Sequence, residues 1–320
     1  MTCQATHGRR TAGRLVCILA LAAACSGAYG AAVRTTRPAR PITTQPAARA
    51  ITITEPPAAR LVLAFGLTAV ALSCLWLWST IASGRRLFPP ARLPEPNWTE
   101  LDVVVVFVVL LLVSPFTHLL NTHGRPEQFL AGCSLVSLLM VCLVSGLIRR
   151  RGQTPAGALG LGWNGLGRRL APALAVFFVA VPLLIGINRG WRWLLIHVGG
   201  PSLDASQKLV KQLATSSSPA VALQIIVAAL LVAPLAEEML FRGLIYRLLR
   251  KRVRTAVAIP AVGVLFGVFH APVSVVLPMC LFGGLLCYLY EKTGRLVVPI
   301  AIHFLFNLCQ VTLILSYRLG

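Results

Sequence analysis

The sequence has few charged residues, and very few acidic ones. Charged side chains make up 12% of its 320 residues and hydrophobic ones 57%, against about 25% and about 45–50% in soluble proteins. The mean hydropathy is +0.78, so the chain lacks the polar surface that a water-soluble globule of this size needs. These values exclude an ordinary soluble protein and predict a polytopic membrane protein.

The scarcity of acidic residues leaves a large positive charge. Nine Asp and Glu against thirty Lys and Arg give a net charge of +21. No polar domain carries a basic patch interleaved with aromatic residues, so no nucleic-acid partner is predicted. The basic residues instead flank apolar segments, as they do where they orient helices in a bilayer. The expected partner is therefore the lipid bilayer, and the expected location is the bacterial inner (plasma) membrane.

The sequence also lacks the spacings of familiar metal sites. It has nine cysteines but no CxxC pair and no HExxH, and most of the cysteines lie in apolar segments. We interpret them as small core residues rather than as disulfide partners or metal ligands. No internal repeat is evident, which argues against an inverted-repeat transporter.

The first sixty residues do not predict a folded core. Residues 1–30 combine arginines, a short apolar run and a stretch of small residues, as a signal peptide does. The alternative is an uncleaved N-terminal membrane anchor, although the run is shorter than the roughly 20 residues that a membrane span needs. Residues 31–60 are rich in Pro, Thr and Arg and have no apolar period, which predicts a disordered linker.

Apolar segments then predict an all-α fold, a polytopic transmembrane bundle of about eight helices. Pro272 is expected to separate the sixth segment from the seventh. Counting basic residues in the loops places residues 31–60 outside and residues 242–254 in the cytoplasm. The predicted segments are Leu61–Ala82, Leu101–Leu120, Phe129–Ile148, Leu170–Asn188, Pro219–Ala236, Thr255–Ala271, Val273–Tyr290 and Leu296–Tyr317.

Two adjacent carboxylates, Glu237 and Glu238, follow an apolar run. A carboxylate in a membrane helix costs about 2.5–3.5 kcal/mol on insertion scales. Glu238 and Arg242 are four residues apart, share a helix face and are predicted to form an ion pair. Glu237 is rotated about 100° away, so it stays available as a general base. The alternative is that both carboxylates merely end a helix at the membrane surface.

Two histidines lie in apolar segments. Phe266 and His270 are four residues apart, as are His303 and Asn307, so each pair lies on one helix face. A single membrane histidine most often takes part in helix packing. Two of them, together with an intramembrane Asn and a carboxylate pair, indicate a functional site.

Taken in order, the strings Glu-Glu-x-x-x-Arg, Phe-x-x-x-His and His-x-x-x-Asn resemble the motifs of a known family. This is the CAAX-protease and bacteriocin-processing (CPBP, or Abi) family of intramembrane endopeptidases. The resemblance covers roughly residues 219–315 and includes Pro234 ahead of the carboxylate pair. It implies a CPBP-like catalytic transmembrane core at residues 219–317, preceded by N-terminal transmembrane helices at residues 61–218.

The resemblance also implies roles for the motif residues. Glu237 and His270 would activate a water that attacks the scissile carbonyl of a peptide or protein substrate. His303 and Asn307 would stabilise the oxyanion, for which imidazole and amide N–H groups are suitable donors. The residues implied as structural support are Glu238, Arg242 and Phe266.

The sequence leaves alternatives open for both cofactor use and function. No cofactor is favoured, but two histidines and a carboxylate also suit a catalytic zinc site, with Glu237, His270 and His303 as candidate ligands. A catalytically silent scaffold or bacteriocin-immunity protein is the alternative to an endopeptidase. A proton or ion relay is a third hypothesis.

One feature of the predicted segments conflicts with a shared site. A helix that starts at Pro219 and ends at Ala236 puts Glu237 at its cytoplasmic end, whereas His270 lies roughly 22 Å along a helix from Thr255 on the same side. The side chains can meet if the Glu237 helix runs on to about residue 250, or if residues 253–260 lie in the membrane interface.

Overall fold

The structure, a computed structural model, describes residues 57–122, 126–200, 208–216, 218–270 and 272–319. Every regular element in these ranges is a helix, so the all-α prediction is confirmed. The predicted signal peptide, and the linker up to residue 56, lie outside the described residues. The first helix begins at Pro57, four residues before the predicted segment, because proline is well suited to a first helical turn.

Ten helices are labelled here in chain order. The seventh is one continuous helical run in which α-helical stretches alternate with two π-helical ones. The helices are α1 Pro57–Ala82, α2 Glu100–Thr122, α3 Pro126–Arg150, α4 Pro155–Leu159, α5 Gly167–Gly199, α6 Lys208–Thr215, α7 Pro219–Arg250, α8 Thr255–Phe269, α9 Val273–Thr293 and α10 Val297–Leu319.

Six helical stretches in the described part of the chain are long and apolar enough to cross a membrane, and α8 is a shorter apolar helix. Large apolar side chains are exposed along these helices, including Phe65, Trp78 and Leu112. In water such a surface would be unfavourable by about 25 cal/mol per Å², whereas hydrocarbon tails accommodate it. The chain is thus an integral membrane protein. The six stretches are Ala64–Ala82, Gln128–Arg150, Gly167–Gly199, Pro219–Arg250, Val273–Thr293 and Val297–Ser316.

Helix α7 is longer than its sequence predicts. The predicted end at Ala236 is wrong, since the helical run continues to Arg250. Its π-helical stretches are Ala228–Val232 and Met239–Tyr246, and π-bulges within α-helices are frequent at functional sites. The adjacent carboxylates, which the sequence predicts just beyond the helix end, lie inside the helix instead.

This extension removes the conflict in depth. At about 1.5 Å per residue, Glu237 lies about 20 Å from the Arg250 end of α7. His270 lies about 22 Å from Thr255, by the same rise. Because α7 and α8 are joined by the short segment 251–254, the two side chains reach the same level of the bundle.

Helices α8 and α9 form a tight hairpin that positions His270. A Cβ atom added to Gly263 would lie 2.6 Å from the Cys280 carbonyl oxygen, and one added to Gly283 would lie 2.9 Å from the Phe266 Cβ. Small residues of this kind let membrane helices approach closely. Helix α8 ends at Phe269 and α9 is capped by Pro272, so the predicted break is confirmed and His270 lies at the turn.

Candidate active site

A buried ion pair within α7 also contacts α8 and α9. Arg242 Nη1 donates to Glu238 Oε1 at 2.8 Å, and both side chains are 0% exposed. Arg242 Nη2 donates to the Gly283 carbonyl oxygen at 2.8 Å. The guanidinium lies 4.5 Å from the centroid of the Phe266 ring. The i,i+4 pair predicted within α7 is present, and it also ties α7 to α8 and α9.

Glu237 faces two imidazole rings. Its Oε2 lies 3.4 Å from His270 Nε2 and 3.8 Å from His303 Nε2. The side chains of Glu237 and His270 are 25% and 21% exposed, whereas that of His303 is 5% exposed. The structure therefore brings together one carboxylate and two histidines from α7, the α8–α9 turn and α10. We call these three side chains the acid–histidine cluster.

The remaining hydrogen bonds of the imidazoles fix the orientation of both rings. His270 Nδ1 lies 2.7 Å from the Phe266 carbonyl oxygen, and His303 Nδ1 lies 2.9 Å from Glu238 Oε1. Both partners are acceptors, so Nδ1 carries the proton in each ring and donates it. In the neutral tautomers Nε2 is then an acceptor that faces Glu237. Three acceptors thus converge, and a proton on one ring or a hydrogen-donating group such as water satisfies them.

Asn307 bonds a backbone carbonyl oxygen, whereas its motif implies that it stabilises an oxyanion. Its Nδ2 donates to the Ala229 carbonyl oxygen at 2.8 Å. Ala229 lies in the first π-helical stretch, where the Ala233 N–H donates to the Ala228 carbonyl oxygen, five residues earlier. In the same pattern the Ala229 carbonyl would accept from residue 234, but Pro234 has no N–H. The amide therefore satisfies a carbonyl that the helix leaves open. No hydrogen bond in the described residues joins it to the acid–histidine cluster, and its predicted oxyanion role stays a prediction.

Aromatic rings surround His303. The Phe266 and Phe282 ring centroids lie 5.8 Å and 5.6 Å from that of His303, both edge-on. Phe306 stacks on Phe282 at 4.1 Å. Of these residues, the sequence motifs singled out only Phe266. Phe282 has no distinctive neighbours in the sequence, so nothing in the chain alone marked it as part of the site.

Arg247 belongs to the range 242–254 that the basic-residue count assigns to the cytoplasm, but it does not lie in a solvated loop. It lies inside α7 with 1% of its surface exposed. Its Nη1 donates to the Ala158 carbonyl oxygen at 2.5 Å, Nη2 contacts the Pro94 carbonyl, and the guanidinium lies 4.7 Å from the Trp98 ring centroid. Backbone carbonyls and an aromatic face make its burial tolerable.

The zinc alternative would rely on donor atoms of the acid–histidine cluster. Glu237, His270 and His303 supply the oxygen and nitrogen atoms that catalytic zinc takes. Yet in the part of the chain that the structure describes, no group of three or more His, Cys, Asp or Glu side chains is arranged so that it could hold a metal ion. Zinc binding therefore stays a hypothesis here, and the chemistry below relies on the side chains alone.

Fold and site together define an integral membrane protein with a carboxylate and two histidines clustered between its helices. Residues 219–309 match a protein-family model described as "Type II CAAX prenyl endopeptidase Rce1-like". The resemblance to the CPBP family that the three motifs predict is thereby confirmed over this region.

A curated relative points the same way. The protein named "Putative membrane peptidase YdiL" from Bacillus subtilis (strain 168) is 29% identical over 175 residues, which is 55% of this chain and 65% of that protein. The chain thus spans somewhat less than two thirds of this relative's length. Its bacterial source fits the expected bacterial plasma membrane. No solved structure matches the chain.

Proposed function

We propose that this chain is an intramembrane endopeptidase that hydrolyses a peptide bond with a water activated by Glu237 and His270. The observation that carries the proposal is the acid–histidine cluster, in which the carboxylate of Glu237, a side chain that is 25% exposed, faces two oriented Nε2 atoms. The Rce1-like match and the peptidase name of the relative support the same class of activity.

In the proposed reaction, Glu237 accepts a proton from water while the water oxygen attacks the scissile carbonyl carbon. His270 Nε2 accepts a hydrogen bond from the same water and keeps it in place, because its Nδ1 is held by Phe266. Protonated Glu237 then returns the proton to the leaving nitrogen as the C–N bond breaks. A positioned general base of this kind contributes about 10²–10⁴-fold to the rate.

His303 has a more specific requirement if it is to stabilise the oxyanion. Its Nδ1–H is used by Glu238, so Nε2 can donate only when the ring is an imidazolium. The Glu238 carboxylate, itself neutralised by Arg242, stabilises that charge. Asn307 retains one amide hydrogen after bonding Ala229, and this hydrogen is the second proposed donor.

The site is proposed to open toward the cytoplasmic leaflet, as the basic-residue count implies. A topology reporter fused after Arg254 should read cytoplasmic, and one fused near Thr54 should read external. The opposite pattern would move the opening to the other leaflet and leave the chemistry unaffected.

Activity is tested with purified protein in detergent and a library of internally quenched peptides, with products read by mass spectrometry. E237Q should fold like the wild type and lose at least about 10²-fold in cleavage rate. E95Q is the matched control, because Glu95 is an exposed carboxylate outside the cluster, and it should cleave normally. Wild-type cleavage by E237Q would refute the proposed base. A wild type that binds peptides but leaves them intact would favour the silent scaffold.

A further inference from the structure

A cavity that shares no residue with the acid–histidine cluster has a basic lining. Its volume is about 270 Å³, and it lies between residues 90–94, helix α4, the start of α5 and the turn from α9 to α10. Arg92, Arg169 and Arg295 line it, and no lining residue is acidic. In the described ranges, none of the three arginines takes part in an ion pair. We call this the arginine cavity.

The walls of the arginine cavity are held by close backbone contacts. Gly160 and Gly294 both have left-handed backbone conformations, with φ of 70° and 63°. A Cβ atom on Gly160 would lie 2.5 Å from the Gly294 carbonyl oxygen. Arg169 Nη1 donates to the Thr293 carbonyl oxygen at 2.5 Å, which ties α5 to the same turn. The guanidinium has five N–H donors, so this bond leaves others for a ligand.

The position of the cavity suggests which anions reach it. The Thr293–Arg295 turn joins two membrane-crossing helices, α9 and α10, and helix ends lie at the level of the lipid headgroups. Basic pockets between membrane helices bind anionic headgroups. Guanidinium groups match the geometry of phosphate oxygens and form short, charge-assisted hydrogen bonds with them.

We propose that the arginine cavity binds a phosphate-bearing anion. Three arginines without a carboxylate partner leave an uncompensated positive charge around one open cavity, and a phosphate group supplies both the charge and the acceptor oxygens. The phosphate can come from an anionic phospholipid or from free phosphate. This proposal does not depend on the peptidase activity.

The test measures the shift in melting temperature of purified full-length protein in a neutral detergent. Short-chain phosphatidylglycerol, short-chain phosphatidylcholine and inorganic phosphate are titrated separately at constant ionic strength. R92Q and R295Q each remove one lining charge. R168Q and K292Q remove charges from exposed residues next to the cavity that do not line it, and they serve as matched controls.

Phosphatidylglycerol or phosphate should raise the melting temperature of the wild type and of both controls. The apparent affinity should fall about tenfold or more in R92Q and R295Q, as expected for the loss of one hydrogen bond to a charged group. The anion that acts identifies the source of the phosphate. If R295Q fails to fold, the apparent affinity of R92Q for the anion tests the proposal. Equal weakening in all four variants, an equal effect of phosphatidylcholine, or no shift with either anion would overturn the proposal.

Discussion

Removing the charge of Glu238 should destabilise the protein far more than removing that of Glu237. Glu238 Oε1 accepts hydrogen bonds from Arg242 at 2.8 Å and from His303 at 2.9 Å. Gln at position 238 keeps an oxygen that can accept both hydrogen bonds, but it removes the negative charge that strengthens them. Breaking a buried ion pair by removing one charged partner costs about 3–5 kcal/mol. E238Q should therefore lower the free energy of unfolding by roughly this amount.

The measurement is unfolding of the purified protein in mixed micelles, followed by intrinsic tryptophan fluorescence. E237Q is the matched variant, because it removes the neighbouring charge at a side chain that is 25% exposed and has no ion pair within its own helix. We expect its midpoint to lie close to that of the wild type. An E238Q protein as stable as E237Q would refute the assignment of Glu238 as the structural carboxylate.

A double-mutant cycle separates the ion pair from the other contacts of Glu238. R242M alone should also be strongly destabilising, since it leaves the Glu238 carboxylate buried with a single partner. Replacing both members with apolar residues of similar size, as E238L with R242M, should cost less than the sum of the single changes. Additive costs would show that Glu238 and Arg242 do not stabilise each other.

Three further predictions concern packing, a buried charge and metal dependence. G263A places a methyl group 2.6 Å from the Cys280 carbonyl oxygen, so it should lower the stability by about 1–3 kcal/mol in thermal unfolding. The control G66A, with no atom within 4 Å of the new Cβ, should be neutral or stabilising. R247Q loses its stacking on an aromatic ring and its bonds to backbone carbonyls, so it should melt well below the wild type, whereas R254Q, which changes an exposed arginine, should not. Dialysis against EDTA should leave peptide cleavage unchanged, and elemental analysis should find no stoichiometric zinc; loss of cleavage that zinc restores would establish a metalloprotease.

The sequence was sufficient to predict the helical membrane fold and the local geometry of the motifs. Residues four apart on a helix share a face whatever the tertiary structure, so the pairing of Glu238 with Arg242 follows from spacing alone. Pro272 likewise marks a helix boundary by removing a backbone donor. These inferences depend on covalent structure and helical period, which the sequence fully specifies.

The rest depends on tertiary partners. Charge next to an apolar run indicates a membrane surface only when the charge is solvated, and Glu238 and Arg247 are instead satisfied by residues distant in sequence. The predicted end of α7 at Ala236 is wrong for this reason. The same limit applies to Phe282, which becomes part of the site only because α9 packs against α10.

The role of Asn307 can be separated into a structural and a catalytic part because Pro234 lies in the facing helix. Asn307 Nδ2 bonds the Ala229 carbonyl, which Pro234 cannot bond because it lacks an N–H. N307A should therefore leave a partly buried carbonyl without a partner, at a cost of about 1–3 kcal/mol. In a P234A background the new N–H at position 234 can donate to the Ala229 carbonyl oxygen. N307A should then lower the free energy of unfolding much less.

Cleavage should respond differently from stability. If the second amide hydrogen of Asn307 stabilises the oxyanion, then P234A/N307A should recover the lost stability but remain about 10²–10³-fold slower than P234A, the loss typical of a missing oxyanion donor. Both quantities are measured on the same four proteins, by thermal unfolding and by cleavage of one quenched peptide. If cleavage recovers along with stability, Asn307 acts only by donating a hydrogen bond to the Ala229 carbonyl oxygen. If P234A gives no recovery of stability, the hydrogen bond to Ala229 is not the reason that N307A is destabilised.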